Sequence, residues 1–374
     1  MPGGSRWPGD RRPAAGNGWG KGCQFQPLFR RENQPRHHRR RPCTLTRMSP
    51  AIQTRASATN TLPRRSALKL LGAALALPAL APLSHAVDGK PLWKTAVGLN
   101  GFQSGTRKYG RNYPIWEVLD FASRNHFDGV ELVGDWPSGG YPGPDEKERV
   151  QALRGLYDRY GLRIFSIQLG ADGAFDPDEP ARQRWLQEFR ERIRLAKQLG
   201  CECVGMWPGG GLRGQTIDQA IDRLAKTFRE AGRIAGDAGI LACFEIEPVF
   251  VFNKEDHYMR ILHGADHPSL KGIYDPSHFD QMNGATGKPE EMLQRVGPAN
   301  IGYLQFCDSD STLRDGGTSK HLACGDGRID CAKSLQILKA GGFRGWIMAD
   351  EWEVPDPYDA CLKCKRLCDS VGRA

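Results

Sequence analysis

The chain has 374 residues and a formal charge of +9, enough length for one large domain or two and a charge that by itself would suit a nucleic acid or a membrane surface. The distribution excludes that reading. Residues 1–86 hold 15 of the 52 Lys and Arg but only 2 of the 43 Asp and Glu, so the remainder carries 37 basic against 41 acidic side chains and offers no nucleic-acid-binding surface.

Residues 1–47 are rich in Arg, Gly and Pro and lack apolar periodicity, the composition of a disordered segment. Met48 stands at the distance expected before a signal sequence, so the first 47 residues read as an overlong start. Within residues 48–86, Arg64-Arg65 lead into an Ala/Leu-rich run from Ala67 to Leu83, which closes on Ser84-His85-Ala86. This is the order of a basic region, an apolar region and a small-residue cleavage site. The paired arginines make it resemble a bacterial twin-arginine signal. That resemblance implies the Tat export machinery as a partner and a periplasmic or secreted mature protein. The apolar run is short and interrupted by Pro78 and Pro82, which argues against a stable membrane anchor.

From residue 88 to 374 the pattern is that of one domain. Short apolar or β-branched runs lie at 94–100, 129–134, 163–169, 201–207, 240–247, 271–275, 301–307 and 345–351. Helical patterns lie between them, at 115–126, 146–161, 181–200, 216–239, 254–264, 288–296, 330–341 and 357–370, and several close on a glycine such as Gly161 or Gly200, as helix C-termini do. Eight nearly continuous apolar strands alternating with helices predict an α/β fold of the (β/α)8 TIM barrel type. A doubly wound open sheet is the competitor, but no GxGxxG follows the first strand. Of the 11 cysteines, nine lie in the body. Cys201 and Cys203 read as facing one core, and Cys361, Cys364 and Cys368 as packed thiols at helical spacing.

Barrel function sits at the C-terminal ends of the strands, and acidic residues gather there. Glu131 lies on the second strand, Glu245 and Glu247 end the fifth, Asp275 ends the sixth with His278 just beyond, Gln305 ends the seventh, and Asp350 and Glu351 end the eighth. A lone buried carboxylate is costly, so several at neighbouring strand ends point to a shared cation. Oxygen-rich ligands suit Mn2+ or Mg2+, and a nearby His extends the range to Co2+ or Zn2+. Asp308, Asp310 and His321 read as loop residues. Trp136 and Trp207 follow the second and fourth strands, where they would wall a pocket or pack in the core.

Three stretches carry a family resemblance. In "GILACFEIEP" a Glu follows a Gly by six residues (Glu245). "YDPSHF" has an Asp three residues before a His. "HLACGDGRIDCAKSLQILKAGGFRGWIMADE" has a Gly325-Asp326-Gly327 turn, a helix and a final acidic strand. These resemble the xylose isomerase-like barrels of sugar isomerases and epimerases. The resemblance implies a divalent metal, Mn2+ foremost, held by Glu245, Asp275, Gln305 and Asp350, with Glu245 and Asp350 also moving protons. It further implies substrate contacts from His278, Glu247, Trp207 and Glu351. Many members carry His on the seventh strand where this chain has Gln305, and Glu on the eighth where it has Asp350. Whether Asp350 or Glu351 faces the site stays open at this level.

The resulting expectation is an exported, metal-dependent isomerase or epimerase. Its partner would be a small non-phosphorylated sugar, polyol or hydroxy-carbonyl compound. The alternatives are a lyase or dehydratase on the same fold and a non-catalytic sugar-binding barrel. A DNA-repair endonuclease on this fold is opposed by the acidic body. The oligomeric state, a homo-oligomer included, is not fixed by the sequence.

Overall fold

The computed structural model describes residues 91–133, 140–170, 172–282 and 287–373. Residues 1–90, on which the expected disordered and twin-arginine segments fall, and Trp136 lie outside the described residues. The strands are β1 (Lys94–Gly98), β2 (Gly129–Leu132), β3 (Arg163–Gly170), β4 (Cys203–Trp207), β5 (Leu241–Phe244), β6 (Leu270–Tyr274), β7 (Ile301–Phe306) and β8 (Trp346–Ala349). All pair in parallel and in chain order, and β8 returns to β1 through the register Lys94↔Trp346 to Val97↔Ala349. The expected closed barrel is therefore present. Its strands run two or three residues shorter than the apolar runs at several ends, because the residues beyond them leave the ladder to form the mouth.

Ten helices lie among the described residues: α1 (Leu99–Tyr109), α2 (Ile115–Arg124), α3 (Lys147–Asp158), α4 (Glu179–Leu199), α5 (Ile217–Asp237), α6 (Glu255–Ala265), α7 (Pro276–Met282), α8 (Pro289–Val296), α9 (Cys331–Ala340) and α10 (Pro357–Gly372). Local chemistry sets their ends. Thr216 and Gln219 form a reciprocal capping box on α5, and Gly200 closes α4 in the left-handed region. No helix among the described residues is long and apolar enough to cross a membrane. Two helices, α1 and α7, escape the sequence pattern. Asn100 and "DPSH" look like a strand end and a turn, yet both lie where a strand passes directly into a helix.

Alternation along the strands sorts the residues into two cores. The outer one joins the barrel to its helices. The inner one fills the barrel floor with Ala96, Phe165, Cys203, Cys243, Ile273, Tyr303, Trp346 and Met348. Trp346 stacks on Phe165 with centroids 4.6 Å apart, and Phe165 meets Tyr303 edge-on at 5.4 Å. Gly129 of β2 makes room for that indole, since a Cβ there would press on the ring at 3.0 Å. Cys201 packs in the outer core and Cys203 in the inner one, so the pair does not share a face as expected. Cys201 precedes β4, outside the strand's alternation. All nine described cysteines are buried free thiols. The aromatic floor closes the bottom of the barrel, with Lys94 and Arg163 over the Trp346 ring and paired to Glu202, and separates that end from the polar C-terminal mouth.

Candidate metal centre

Two residues above the floor, the inward positions turn polar. They are Glu131 on β2, Gln168 on β3 and Gln305 on β7, followed at the strand ends by Glu245, Asp275 and Asp350, all at most 4% exposed. Asp275 shows how the sequence builds this. Its Oδ1 accepts the Ser277 amide at 2.7 Å, the Ser277 hydroxyl at 2.7 Å and the His278 amide at 3.2 Å, starting α7. Its Oδ2 has no hydrogen-bond partner. One oxygen does the turn chemistry and the other is left aimed into the mouth. Because α7 starts at once, His278 comes round one turn to the same opening.

The surrounding donors converge. His278 Nε2 lies 3.8 Å from Asp275 Oδ2, 3.7 Å from Glu245 Oε1 and 4.0 Å from Glu247 Oε2. His321 Nε2 is 3.8 Å from Asp275 Oδ2, and His321 Nδ1 is 3.5 Å from Asp350 Oδ1. These are charge contacts, too long to satisfy the groups as hydrogen bonds. Glu245 Oε1, Asp275 Oδ2 and both nitrogens of His321 are buried without a hydrogen-bond partner. Two ligands of one ion stand at most about 4.2 Å apart, twice a metal–ligand bond of about 2.1 Å. The separations here fall inside that limit. Four carboxylates (Glu245, Glu247, Asp275 and Asp350) share the space with two imidazoles, so charge favours a divalent cation even with both imidazoles protonated. The residues present fit a metal ion.

The remaining contacts orient this set. The Ser319 hydroxyl donates to the Ser277 carbonyl at 3.0 Å and meets His278 Nδ1 at 2.8 Å. Its single hydrogen being spent, it accepts Nδ1–H, which leaves the His278 Nε2 lone pair facing the carboxylates. Trp207 Nε1 donates to Glu245 Oε2 at 2.5 Å. Asn100 Nδ2 donates to Asp350 Oδ1 at 2.7 Å. Glu247 sits at the rim, its Oε2 accepting from Thr318 Oγ1 at 2.8 Å. Gln305 Nε2 donates to Glu131 Oε2 at 3.1 Å.

Electrostatics follow burial and crowding. Burial first, then Asp275, Glu247 and Asp350, raises the proton affinity of Glu245 well above the usual carboxylate range. Burial works the same way on Asp275, but His278, His321 and its hydrogen bonds from Ser277 and His278 outweigh it and hold this carboxyl below its ordinary value. His321 is desolvated, yet Asp350 and Asp275 prevail and push it up to about 9. Glu131, deeper in the barrel, is pushed up to about 8 by burial against the hydrogen bonds of Tyr303, Ser166 and Gln305.

The structure thus gathers Glu245, Glu247, Asp275, His278, Asp350 and Trp207 around one opening, with Gln305 just beneath. It answers the open choice on β8, since Asp350 turns inward. Glu351 is a correction. Expected at the substrate, it lies on the opposite side, packed against Gly101 of α1, with both carboxylate oxygens buried and unpartnered. Alternation along the chain is the reason. His321 is a second correction. It is a loop residue, as read, but 3% exposed and inside the site. No local spacing announces it, because a hairpin far from any strand end delivers it. Asn100 was also missed, hidden in a helix that follows β1 without a linker. Asp308, also read as an ordinary loop residue, is fully buried and accepts the amides of Ser309, Gly325, Gly327 and Ile329.

Comparison with known proteins agrees with the fold. An uncharacterized protein of Methanocaldococcus jannaschii is 25% identical over 244 residues, 64% of this chain and 79% of that one. The crystal structure of an IOLI protein with a bound zinc atom superposes with a TM-score of 0.59 at 16% identity, over 74% of this chain and 97% of that one. That of a D-tagatose 3-epimerase-like protein gives 0.55 at 21% identity, over 74% and 98%. The model of the xylose isomerase-like TIM barrel family matches residues 119–365. With the closed eight-stranded barrel and its acidic mouth, that match establishes the chain as a member of the xylose isomerase-like TIM barrel family.

Proposed function

We propose that this chain is an exported, divalent-metal-dependent isomerase or epimerase of a small non-phosphorylated sugar, polyol or hydroxy-carbonyl compound. The observation that carries the reading is the set of unpartnered buried atoms, Glu245 Oε1, Asp275 Oδ2 and the His321 nitrogens, facing one space. Glu245, Asp275 and Asp350 would hold the ion, Mn2+ foremost, and Gln305 and His321 approach it from β7 and the following loop. When bound, the cation supplies Lewis-acid stabilisation of negative charge on the substrate's carbonyl and hydroxyl oxygens.

The chain's own residues would move the proton. Glu245 beyond β5 and Asp350 beyond β8 stand on different sides of the mouth, the placement needed to take a proton from one face of a carbon and return it to the other. Burial and the neighbouring carboxylates raise the proton affinity of Glu245, the direction that suits an acid/base group. Trp207 fixes its carboxylate, and His278, Glu247 and Trp207 would bind substrate hydroxyls at the rim. The zinc in one structural neighbour and the epimerase-like description of another support the same reading.

The test is metal analysis of the purified chain beside Glu245→Gln, followed by a screen on aldoses, ketoses and polyols. The expected result is about one divalent ion per chain, and both metal and turnover lost in the variant. A Glu245→Gln protein with full activity would remove this site from the mechanism. A metal-free wild type that binds sugars without converting them would make the chain a binding protein.

A further inference from the structure

Resting on the metal-dependent reading above, we propose that His321 Nε2, supplied by the loop between β7 and α9, is the imidazole ligand of the metal and contributes more to its binding than the Gln305 amide. The family resemblance places an imidazole on the seventh strand, where this chain has Gln305. Its Nε2 donates to Glu131 Oε2 at 3.1 Å and reaches Tyr303 Oη at 3.4 Å, which leaves only the neutral Oε1 to face a cation, a weaker ligand than an imidazole nitrogen. His321 is 3% exposed and carries two nitrogens without a hydrogen-bond partner. One Nε2 position lies 3.8 Å from Asp275 Oδ2, and Asp275, His278 and His321 form a mutually close set of three donors. Nδ1 faces Asp350 Oδ1 at 3.5 Å, a charge contact on the ring edge next to the one that faces Asp275.

The loop is built to hold this ring. At its base Asp308 Oδ2 accepts the amides of Gly325 at 3.0 Å and Gly327 at 2.9 Å, and Oδ1 accepts that of Ile329 at 3.0 Å. A side chain at residue 327 would overlap Asp308, which accounts for the second glycine of the Gly-Asp-Gly turn. Asp308 and Leu322 exchange backbone hydrogen bonds of 2.8 Å each way, setting His321 beside a paired residue. Arg314 donates to the carbonyls of His321 at 3.2 Å, Trp352 at 3.3 Å and Glu353 at 3.0 Å, tying the loop to the neighbouring segment that follows β8. Ser319, on the same loop, holds His278 Nδ1. The loop therefore delivers one ligand and orients the His278 imidazole beside it. Cation binding fastens it over the site, and the added nitrogen favours Co2+, Zn2+ or Mn2+ over Mg2+.

The experiment strips the full chain of metal with a chelator and titrates it with Co2+, reading affinity and the visible absorption band. Wild type, His321→Ala and Gln305→Ala are compared. His321→Ala is expected to bind at least about tenfold more weakly, with a shifted band, while Gln305→Ala stays within about threefold of wild type. Equal binding by His321→Ala, or a larger loss in Gln305→Ala, overturns the assignment. A second measurement needs no variant. Trypsin cleavage at Lys320 in wild type should slow at least severalfold when Mn2+ is added, and unchanged cleavage counts against the fastened loop. Wild type that takes up no divalent metal overturns the metal-dependent reading along with this one. Wild type that binds while His321→Ala binds equally removes only this inference.

Discussion

Glu131→Gln tests whether the barrel interior carries a neutral carboxylic acid. Glu131 is 1% exposed, its Oε1 has no partner, and burial pushes its folded-state pKa from 4.5 to about 8. Below pH 4.5 neither folded nor unfolded chain ionises this group, and it imposes no penalty. Between 4.5 and about 8 the unfolded chain releases the proton while the folded chain keeps it, so stability falls as pH rises. At about 1.4 kcal/mol per pH unit across this window, the loss accumulates to about 5 kcal/mol and is complete above pH 8. Gln keeps the shape and still accepts from Gln305 Nε2, but it cannot ionise. Urea unfolding of the metal-free chain at pH 5, 6, 7 and 8 should show wild type losing several kcal/mol relative to Glu131→Gln, with the variant the more stable at pH 8. Glu245 and Glu351 also hold their protons tightly, so the difference between the two proteins, not the wild-type slope, isolates Glu131. Parallel curves would refute the reasoning. Added Mn2+ should shrink the difference, because a nearby cation favours the ionised carboxylate.

Two further substitutions separate neighbouring roles. Asp275→Asn keeps an oxygen for the Ser277 and His278 amides and should fold with near wild-type stability while losing metal, whereas Asp275→Ala loses metal and also about 1 kcal/mol from the uncapped start of α7; calorimetry with metal analysis reads both, and equal metal content in Asp275→Asn and wild type would deny the Oδ2 atom its role. Gly205→Ala places a methyl against Tyr303 Oη and Gln168 Cγ in the layer below the site, so it should cost about 1–3 kcal/mol of stability by overpacking, and an unchanged denaturation midpoint would show that layer to be looser than described.

Much of the site is legible in the sequence because parallel strands end where function sits. An apolar run closing on a carboxylate, as in "ILACFEIE" and "GIYDPSH", marks an inward side chain at the mouth, and Glu245 and Asp275 follow that pattern. The same pattern could not choose between adjacent acids. Asp350 and Glu351 are equivalent in composition, and only the register of β8 in the closed barrel turns one inward and the other against α1. Helices that follow a strand without a linker were also hidden, which is why Asn100 appeared as a strand end.

What the sequence by itself determined was the barrel, the order of its strands and the strand-end carboxylates, since hydrophobic period and chain order are local properties. What only the tertiary structure decided was the company those carboxylates keep. His321 stands 46 positions beyond Asp275 in the sequence, on a loop whose course depends on Asp308 gathering amides from both ends of that loop and on Arg314 and Ser319 finding partners on other elements. Its distance from Asp275 is the product of those long-range contacts, and no local spacing could encode it.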